Sequence, residues 1–496
     1  MKIILRTLAV LMIILLLSVP TSLAELARGD RGENVEYLQS LLREGGWLMD
    51  NVDGVFGKNT QQAVMDFENW LGLPADGVAQ DEIIHLLEAS LRPNEDMPVR
   101  PLTEIAMQEG PVRLNGSTII DGNTIYYAGA IDGNNDCICT MDANGSNVQK
   151  FADLETVLIA ESGGNLLVCV FDWNNDYYGI ELLRADGVRF PVSEYGVYRA
   201  IAADGYFYFG PLSIAQDGSM IKTIIPCEPE LYGCIWPMEI SDGWLYYLDS
   251  RETDERAYSE GGILPPGAEL LRAELESGRI EKLSGIGTSY IGVENGFAYY
   301  CRRNYYMFND AYDLDEVQVD EGLFRLDLAT GEESRLAQLP HNDFLFLNYH
   351  TLYNGVIYGE CADYTLESNV NSIIRMRTDG TKLPNIRIDS GDSSVSFLTI
   401  VDGMYFSGEI ESFEDAEGNY RSREYILATD LESGKSQRLM VPQRMSLFYT
   451  EQPANIAVAN GQIYFHAYDE AAEQESFMSI SLDGLKANIL AQGNSY

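Results

Sequence analysis

One short pattern recurs through most of this chain, and it restricts the folds that the chain can adopt. A turn dipeptide that ends in glycine comes directly before a short aromatic or aliphatic run, as in Asp204-Gly205 before Tyr206-Phe207-Tyr208. The turn glycines lie 38 to 59 residues apart, at positions 122, 164, 205, 243, 296, 355, 403 and 461. A period of this length predicts an array of repeated supersecondary units.

Every repeat also contains a second turn of the same kind. The second-turn glycines stand at positions 145, 187, 218, 278, 331, 380, 434 and 484. Alternating apolar and polar residues precede most of them, for example in Leu323–Leu328. Glycine provides the positive φ that tight hairpins require, and alternation with a period of two is typical of strands. The pattern therefore predicts that each unit forms four antiparallel strands.

Four-stranded units of this size stack radially as propeller blades, which protect their edges by closing a ring. We predict an all-β propeller over residues 102–496 with eight blades, or seven if the short third unit is degenerate. These repeats resemble the Gram-positive surface propellers of unknown function that are related to the low-density-lipoprotein-receptor type. The resemblance implies a fold rather than a function.

A different pattern precedes the repeats. Residues 25–91 have apolar side chains at helical spacing, and the first helix is expected to end at Gly45-Gly46. Asn59 or Thr60 is expected to cap a second helix, and a third helix carries Ile83 and Leu87. This segment predicts a small all-α domain of three helices.

The same segment carries an ordered set of motifs. They are Arg28-Gly29-Asp30-Arg31-Gly32, Val35, Leu38-Gln39, Leu42, Gly46, Asp53-Gly54-Val55-Phe56-Gly57, Thr60, Ala63-Val64, Phe67, Gly72-Leu73 and Asp76-Gly77-Val78. In this order they resemble the peptidoglycan-binding domain of bacterial wall hydrolases. The chain departs from that family in two places, with Phe67-Glu68 for Phe-Gln and with Gln80-Asp81 where a threonine usually caps the third helix.

The resemblance implies a ligand made of sugar and peptide, which a shallow groove with aromatic and polar groups can bind. Trp47 and Phe56 are the candidate stacking groups, and Asp50, Asp53 and Thr60 are the candidate polar groups. The alternative is that the loop residues only build the turn.

Two further segments have characteristic compositions. Residues 1–24 combine Lys2 and Arg6 with an apolar run and a Ser22-Leu23-Ala24 site, which predicts a signal peptide cleaved after Ala24. An uncleaved N-terminal anchor is the alternative. Residues 92–101 contain three prolines among charged residues and predict a stiff, solvated linker.

The formal net charge of −43 bears on the partners that the chain can bind. A field of this sign repels nucleic acid and anionic lipid headgroups, so neither is expected as a partner. Seven cysteines are too few and too scattered for a disulfide scaffold, although Cys227 and Cys234 flank a short turn and are a candidate pair. No cysteine motif predicts a zinc site.

Chemistry-bearing motifs are few. Two acidic stretches provide alternating oxygen ligands that suit calcium, with the alternative that both are polar loop tips. The candidate ligands are Asp132, Asn134, Asp136, Asp172, Asn174 and Asp176. The four histidines, at positions 85, 341, 350 and 466, form no recognised metal or nucleophile motif. Apart from calcium, no cofactor is expected.

Together these patterns predict an extracellular, cell-wall-associated binding protein without catalytic activity. The small domain would bind peptidoglycan, and the propeller would bind a protein or a glycan. One alternative is a wall- or polysaccharide-active hydrolase or lyase whose active site lies at the propeller centre, built from a carboxylate pair. Another is an envelope sensor or assembly scaffold.

Overall fold

The computed structural model describes residues 25–91 and 100–493, apart from short internal gaps. The gaps are residues 109, 115–116, 132–133, 155, 173–176, 198, 252–256, 259–267, 309–313, 340–344, 364–369, 389–393, 415–419, 443–444, 448–455, 470–473 and 485. The predicted signal peptide therefore lies outside the described residues. The chain divides into two compact units, with residues up to Arg92 forming most of the first and residues from Pro93 most of the second. No helix in the described part is long and apolar enough to cross a membrane.

The first unit consists of three helices, as predicted. They are α1 (Glu33–Glu44), α2 (Lys58–Leu71) and α3 (Asp81–Leu91). Their apolar faces enclose one core that includes Leu38, Phe67 and Ile84. Burial of these side chains is the main stabilising contribution in so small a unit.

The predicted caps of the second helix are wrong. Helix α2 begins at Lys58 after Gly57 and has no side-chain cap, so Asn59 and Thr60 lie inside its first turn. The Thr60 hydroxyl instead accepts a hydrogen bond from Gln39 Nε2 at 3.1 Å. The Thr60 hydroxyl thus bonds to the buried Gln39 side chain of α1 and does not cap the first turn of α2.

The second unit is an eight-bladed β-propeller, as predicted, and each blade is one antiparallel sheet. The strands of the first four blades are β1 (Val112–Leu114), β2 (Thr118–Asp121), β3 (Thr124–Ile131), β4 (Asn134–Asp142) and β5 (Gln149–Asp153); β6 (Thr156–Ser162), β7 (Asn165–Asp172), β8 (Tyr177–Leu183) and β9 (Arg189–Ser193); β10 (Ala200–Ala203), β11 (Tyr206–Phe209), β12 (Leu212–Ala215) and β13 (Ile221–Thr223); and β14 (Ile235–Ser241), β15 (Trp244–Asp249), β17 (Glu269–Glu274) and β18 (Ile280–Lys282).

The other four blades follow the same plan. Their strands are β19 (Thr288–Glu294), β20 (Phe297–Arg302), β23 (Gly322–Asp327) and β24 (Glu333–Ala337); β25 (Leu345–Tyr353), β26 (Val356–Asp363), β27 (Val370–Arg377) and β28 (Lys382–Ile388); β29 (Ser394–Val401), β30 (Met404–Glu414), β31 (Tyr420–Asp430) and β32 (Ser436–Met440); and β33 (Met445–Ser446), β34 (Ile456–Ala459), β35 (Gln462–Asp469), β36 (Gln474–Ser481) and β37 (Ala487–Gly493).

An additional small sheet lies outside the eight blades. It consists of β16 (Ala257–Tyr258), β21 (Tyr305–Phe308) and β22 (Leu314–Val317). The short third unit, which left the seven-blade alternative open, forms a complete sheet of four strands from β10 to β13. The structure therefore supports the eight-blade prediction.

The glycine-containing turns fix the blade hairpins. Asn295 and Gly296 have φ values of 52° and 79°, so both central residues of that turn are left-handed. This backbone matches the twist of the flanking strands and favours asparagine or aspartate followed by glycine. The first turn is an exception, because Gly122 and Asn123 rather than Asp121 and Gly122 separate its two strands.

The first full strand of each blade lies nearest the propeller axis, since first strands of neighbouring blades contact each other, as β6 and β10 do. In five blades this strand has a β-bulge before its turn, which the sequence patterns did not predict. The residues at the bulges are Ile159, Met238, Ile291, His350 and Leu398.

A recurring arginine joins neighbouring blades. It lies on the third strand of a blade and donates to a carbonyl in or beside the second turn of the next blade. Arg272 Nη2 donates to Leu328 O at 3.1 Å, and Arg325 Nη1 donates to Thr378 O at 3.3 Å. Each of these arginines thus ties the third strand of its blade to the next blade.

Candidate functional site

Gln39 organises the predicted binding loop of the helical unit. Its Nε2 donates to Asp53 Oδ1 at 2.9 Å and to Val55 O at 3.1 Å, besides Thr60. Its Oε1 accepts hydrogen bonds from the backbone nitrogens of Asp53 at 3.1 Å and Gly54 at 2.9 Å. Gln39 is only 2% exposed. Gln39 belongs to one of the sequence motifs, but the motif does not predict this role, because Gln39 lies on α1 and the loop follows that helix.

The loop carboxylates differ in their surroundings. The hydrogen bond from Gln39, followed by that from the Val55 backbone, lowers the pKa of Asp53. Asp50 is exposed and accepts a hydrogen bond from Asn59 Nδ2 at 2.5 Å. Asp53 and Thr60 therefore stabilise the loop through Gln39, and both Asp50 and Asp53 are exposed polar candidates.

The stacking role predicted for the two aromatic residues is contradicted by their burial. Trp47 is 3% exposed and Phe56 is 1% exposed. The Trp47 ring packs edge-on against Phe67, with 5.5 Å between the ring centroids, and it also contacts Trp70. A sugar cannot stack on a ring whose faces are covered by the core, so both side chains are structural.

A different aromatic residue of this unit is accessible. Tyr37 on α1 is 45% exposed, and its hydroxyl donates to the Glu88 carboxylate on α3. His85, on the same helix α3, lies 3.2 Å from Glu88 through Nδ1. This exposed group of Tyr37, His85 and Glu88, which we call the α1–α3 cluster, combines a ring face with polar groups. The sequence patterns missed it because Tyr37 belongs to none of the motifs.

Comparison with known proteins agrees with the geometry of the helical unit. Residues 31–87 match the protein family described as "Putative peptidoglycan binding domain". The first unit is a domain of this peptidoglycan-binding type. A spore cortex-lytic enzyme of Bacillus cereus is 48% identical over 52 residues, which are 10% of this chain and 20% of that protein. The chain therefore covers about a fifth of the length of this curated relative.

Solved structures resemble each of the two units. The SleB N-terminal domain, which is known from a crystal structure, is 39% identical to the matching part of this chain. The match covers 13% of this chain and 90% of the SleB chain, with a TM-score of 0.13. The propeller domain of the Trilobed protease from Pyrococcus furiosus is 11% identical, covers 79% of this chain and 100% of that chain, and gives a TM-score of 0.37. Likenesses of this kind carry no information about activity.

The predicted calcium loops fall largely outside the described residues. Asp132, Asn174 and Asp176 belong to undescribed segments. Asn134 and Asp136 lie on β4, and Asp172 ends β7, without described side chains. Elsewhere in the described chain, no three His, Cys, Asp or Glu side chains group as metal ligands. Calcium binding stays a prediction.

None of the seven cysteines, all of which lie in the described part of the chain, forms a disulfide bond, and this includes the candidate pair Cys227 and Cys234. Cys137 and Cys139 share one face of β4 with their Sγ atoms 3.3 Å apart. Burial is the main factor that raises the pKa of Cys139, to about 12, which makes this thiol a poor nucleophile.

Two of the three propeller histidines have described surroundings. Both ring nitrogens of His350 are buried and have no hydrogen-bond partner among the described residues, and the ring centroid lies 4.0 Å from that of Phe397. Burial lowers the pKa of His350 to about 3. His466 Nε2 lies 2.9 Å from the Thr118 hydroxyl. Neither ring is placed to act on a solvent-borne substrate.

Half-buried carboxylates also lie at blade interfaces. Burial raises the pKa of Glu360 to about 7, and the Tyr405 hydroxyl of the next blade donates to Glu360 Oε1 at 3.4 Å. Tyr290 donates to Glu239 Oε2 at 2.6 Å in the same way, between blades 4 and 5. These carboxylate–phenol pairs join blades.

Proposed function

We propose that this chain is an exported, cell-wall-associated binding protein without catalytic activity. The helical unit would attach the protein to peptidoglycan, and the propeller would present a surface to a protein or glycan partner. The observation that carries the proposal is the match of residues 31–87 to a peptidoglycan-binding family, over the three helices and the Gln39-ordered loop.

The name of the curated relative also supports attachment to the cell wall. A spore cortex-lytic enzyme acts on a wall layer by its printed name, and its similarity to this chain is confined to 52 residues. The shared part therefore supports a common attachment role.

The environment of the propeller histidines and carboxylates supports a non-catalytic function. A general base needs a pKa near the working pH and access to the substrate. His350 meets neither condition, since burial lowers its pKa to about 3. Glu360 has a pKa near 7 but is enclosed between blades 6 and 7 with Tyr405.

Sedimentation of the full-length protein with purified peptidoglycan tests the attachment role. We expect Tyr37→Ala to weaken co-sedimentation about fivefold or more, because a lost stacking ring removes about 1 kcal/mol or more of binding. Leu73→Ala is the matched control, since Leu73 is also a partly exposed apolar residue of the same unit, at 37%. It should leave binding unchanged.

Two outcomes would contradict the proposal in different ways. Absence of binding by the unmodified protein would reject wall attachment. Equal binding by Tyr37→Ala and the unmodified protein would reject the α1–α3 cluster as the site. Release of reducing ends or peptides from peptidoglycan during the same incubation would favour the hydrolase alternative.

A further inference from the structure

We infer that the propeller receives a basic segment of a partner protein in a depression above the third blade, where a lysine or arginine side chain contacts Tyr195 and Tyr232 and pairs with Glu230. The inference rests on the proposed role of the propeller as the interaction surface. It names the site on that surface and the chemical class of the partner.

The third blade is lower than its two neighbours at one end of the propeller. In these three blades the second strand begins directly after the turn glycine, so its length measures how far the blade extends from that turn. The strand has four residues in the third blade (β11), eight in the second (β7) and six in the fourth (β15). At about 3.3 Å per residue, the third blade ends about 13 Å below the second and about 7 Å below the fourth. We call the resulting depression the blade-3 notch.

Two connections between blades form the floor of the notch. They are residues 194–199, between β9 and β10, and residues 224–234, between β13 and β14. Gly210 lies in the short loop between β11 and β12, where a Cβ atom would lie 2.9 Å from Tyr232 O and 3.2 Å from Val197 Cγ1. Both connections therefore pack closely against the end of the third blade.

Tyr195 and Tyr232 form an aromatic corner on this floor. Their ring centroids are 6.2 Å apart, with an angle of 62° between the ring planes. Tyr195 is 37% exposed, and so is Leu231, which precedes Tyr232. The Ser193 hydroxyl holds the Tyr195 backbone, because it accepts from Tyr195 N and donates to Tyr195 O, both at 3.0 Å. The Tyr195 ring is therefore available to a ligand and is not needed to fix its own connection.

Exposed carboxylates flank the aromatic corner. The Tyr195 hydroxyl lies 3.5 Å from Glu230 Oε1, and the charge of Glu230 is the main factor that raises the pKa of Tyr195. Glu194 and Glu228, on the same two connections, are also exposed. None of the three carboxylates forms an ion pair with a described residue.

The basic residues near the notch leave these carboxylates without a counter-charge. The two connections contain three glutamates and a single basic residue, Arg199. Arg251 reaches the floor, where its Nη1 donates to Pro226 O at 3.2 Å, but its guanidinium is already paired with Asp249 at 2.6 Å. A ligand that brings its own positive charge would therefore be favoured.

The chemistry of the notch favours a lysine or arginine side chain over a neutral sugar. A cation is attracted to the face of a tyrosine ring, and a carboxylate beside that ring adds a charge-assisted hydrogen bond. The aliphatic stem of either side chain can pack on an apolar neighbour such as Leu231. A neutral sugar could stack on Tyr195 but would leave the carboxylates uncompensated. The net charge of −43 also attracts a basic protein over longer distances.

Two capped pentapeptides test the inference. One has the sequence Gly-Leu-Arg-Leu-Gly, and the other carries citrulline, a neutral isostere, in place of arginine. Each is titrated with the full-length protein at constant ionic strength, and binding is followed through the NMR signals of the peptide. We expect saturable binding of the arginine peptide, about fivefold or more tighter than that of the citrulline peptide. A single arginine in each peptide limits nonspecific attraction to the acidic chain.

Substitutions in the notch should weaken this binding. Tyr195→Leu and Glu230→Gln should each weaken binding of the arginine peptide about fivefold or more, whereas Tyr195→Phe keeps the ring and should keep most of the binding. Tyr195 and Glu230 are exposed, so the fold should tolerate these changes. Glu276→Gln is the matched control, because Glu276 is exposed in the turn between β17 and β18, at the opposite end of the propeller. It removes the same charge and should leave binding unchanged.

Four results would overturn the inference: no saturable binding of the arginine peptide, equal binding of the two peptides, equal binding by Tyr195→Leu, or equal weakening by Glu276→Gln and Glu230→Gln. Tighter binding of a glucosamine tetramer than of the arginine peptide would also overturn it and would assign the notch to a cationic glycan. Sedimentation with peptidoglycan separates these failures from failure of the proposed function. Wall attachment through the helical unit does not depend on Tyr195, so the two measurements can fail independently.

Discussion

His466 Nε2 lies 2.9 Å from the Thr118 hydroxyl, a contact between the last and the first blade that spans 348 residues of sequence. Among the described residues, each of these blades is built from its own segment, and no strand is exchanged between them. Side-chain contacts therefore join the first blade to the last. Tyr464 adds a hydrogen bond to Ala143 O at 3.0 Å, and Asn460 Nδ2 adds one to Gly122 O at 2.7 Å.

The segment before the first blade strengthens this closure. Arg100 Nη1 donates to Asp402 Oδ2 of the seventh blade at 3.1 Å. Gln108 N donates to Val458 O of the eighth blade at 3.0 Å, while Leu102 and Ile105 pack into the core between those blades. Residues 92–99 of the predicted linker are not described, but the end of that linker at Arg100 is bound to the propeller.

Replacing His466 should destabilise the propeller. His466→Leu leaves the fully buried Thr118 hydroxyl without this partner, which we expect to cost about 1–3 kcal/mol of unfolding free energy. Urea unfolding of the full-length protein, followed through the propeller transition, measures the loss. His85→Leu is the control, because His85 is an exposed histidine of the helical unit. Equal midpoints for the two variants would show that this contact does not support closure.

Replacing Gln39 should disorder the loop of the helical unit. Gln39→Leu leaves the backbone nitrogens of Asp53 and Gly54 without their acceptor, so we expect a loss of about 2 kcal/mol or more. The pKa of Asp53 should rise toward its ordinary value, because the hydrogen bond from Gln39 is the main cause that lowers it.

Thermal unfolding and an NMR titration of the Asp53 carboxylate measure these two effects. Gln62→Leu serves as the control, since Gln62 is exposed and its Nε2 donates only to Asp66 within α2, at 2.9 Å. An unshifted Asp53 titration in Gln39→Leu would contradict the role assigned to Gln39.

Two titratable groups at one blade interface should give opposite pH dependences of stability. Glu360 has its pKa raised from 4.5 to about 7, so between these values the folded state binds a proton that the unfolded state has released. Its contribution to stability therefore falls as the pH rises through this range. His350 has its pKa lowered from 6.5 to about 3, so the unfolded state holds the extra proton and stability rises with pH over that range.

Single substitutions should separate the two contributions. Relative to the unmodified protein, Glu360→Gln should gain stability as the pH increases from 4.5 to 7, by up to about 3 kcal/mol. Relative to the same reference, His350→Phe should gain stability as the pH decreases from 6.5 toward 3. Urea unfolding at several pH values measures both differences. Parallel pH profiles for all three proteins would show that neither group titrates as described.

The sequence by itself determined the architecture, because local chemistry specifies it. Asn295 and Gly296 tolerate the left-handed backbone that a two-residue hairpin needs, and this preference is visible in the dipeptide alone. Repetition of such turns between alternating strands predicted the blades, and helical periodicity predicted α1 to α3. Each of these signals acts over a few neighbouring residues.

Only the tertiary structure decided which side chains are accessible and which are paired. Trp47 and Tyr37 are both aromatic residues near the start of the chain, yet the first is 3% exposed and the second 45%. Burial depends on which elements pack against a residue, and a motif does not record this. The same holds for His466, whose partner Thr118 comes at the other end of the ring. Contacts between residues so distant in sequence arise only when all eight blades are in place.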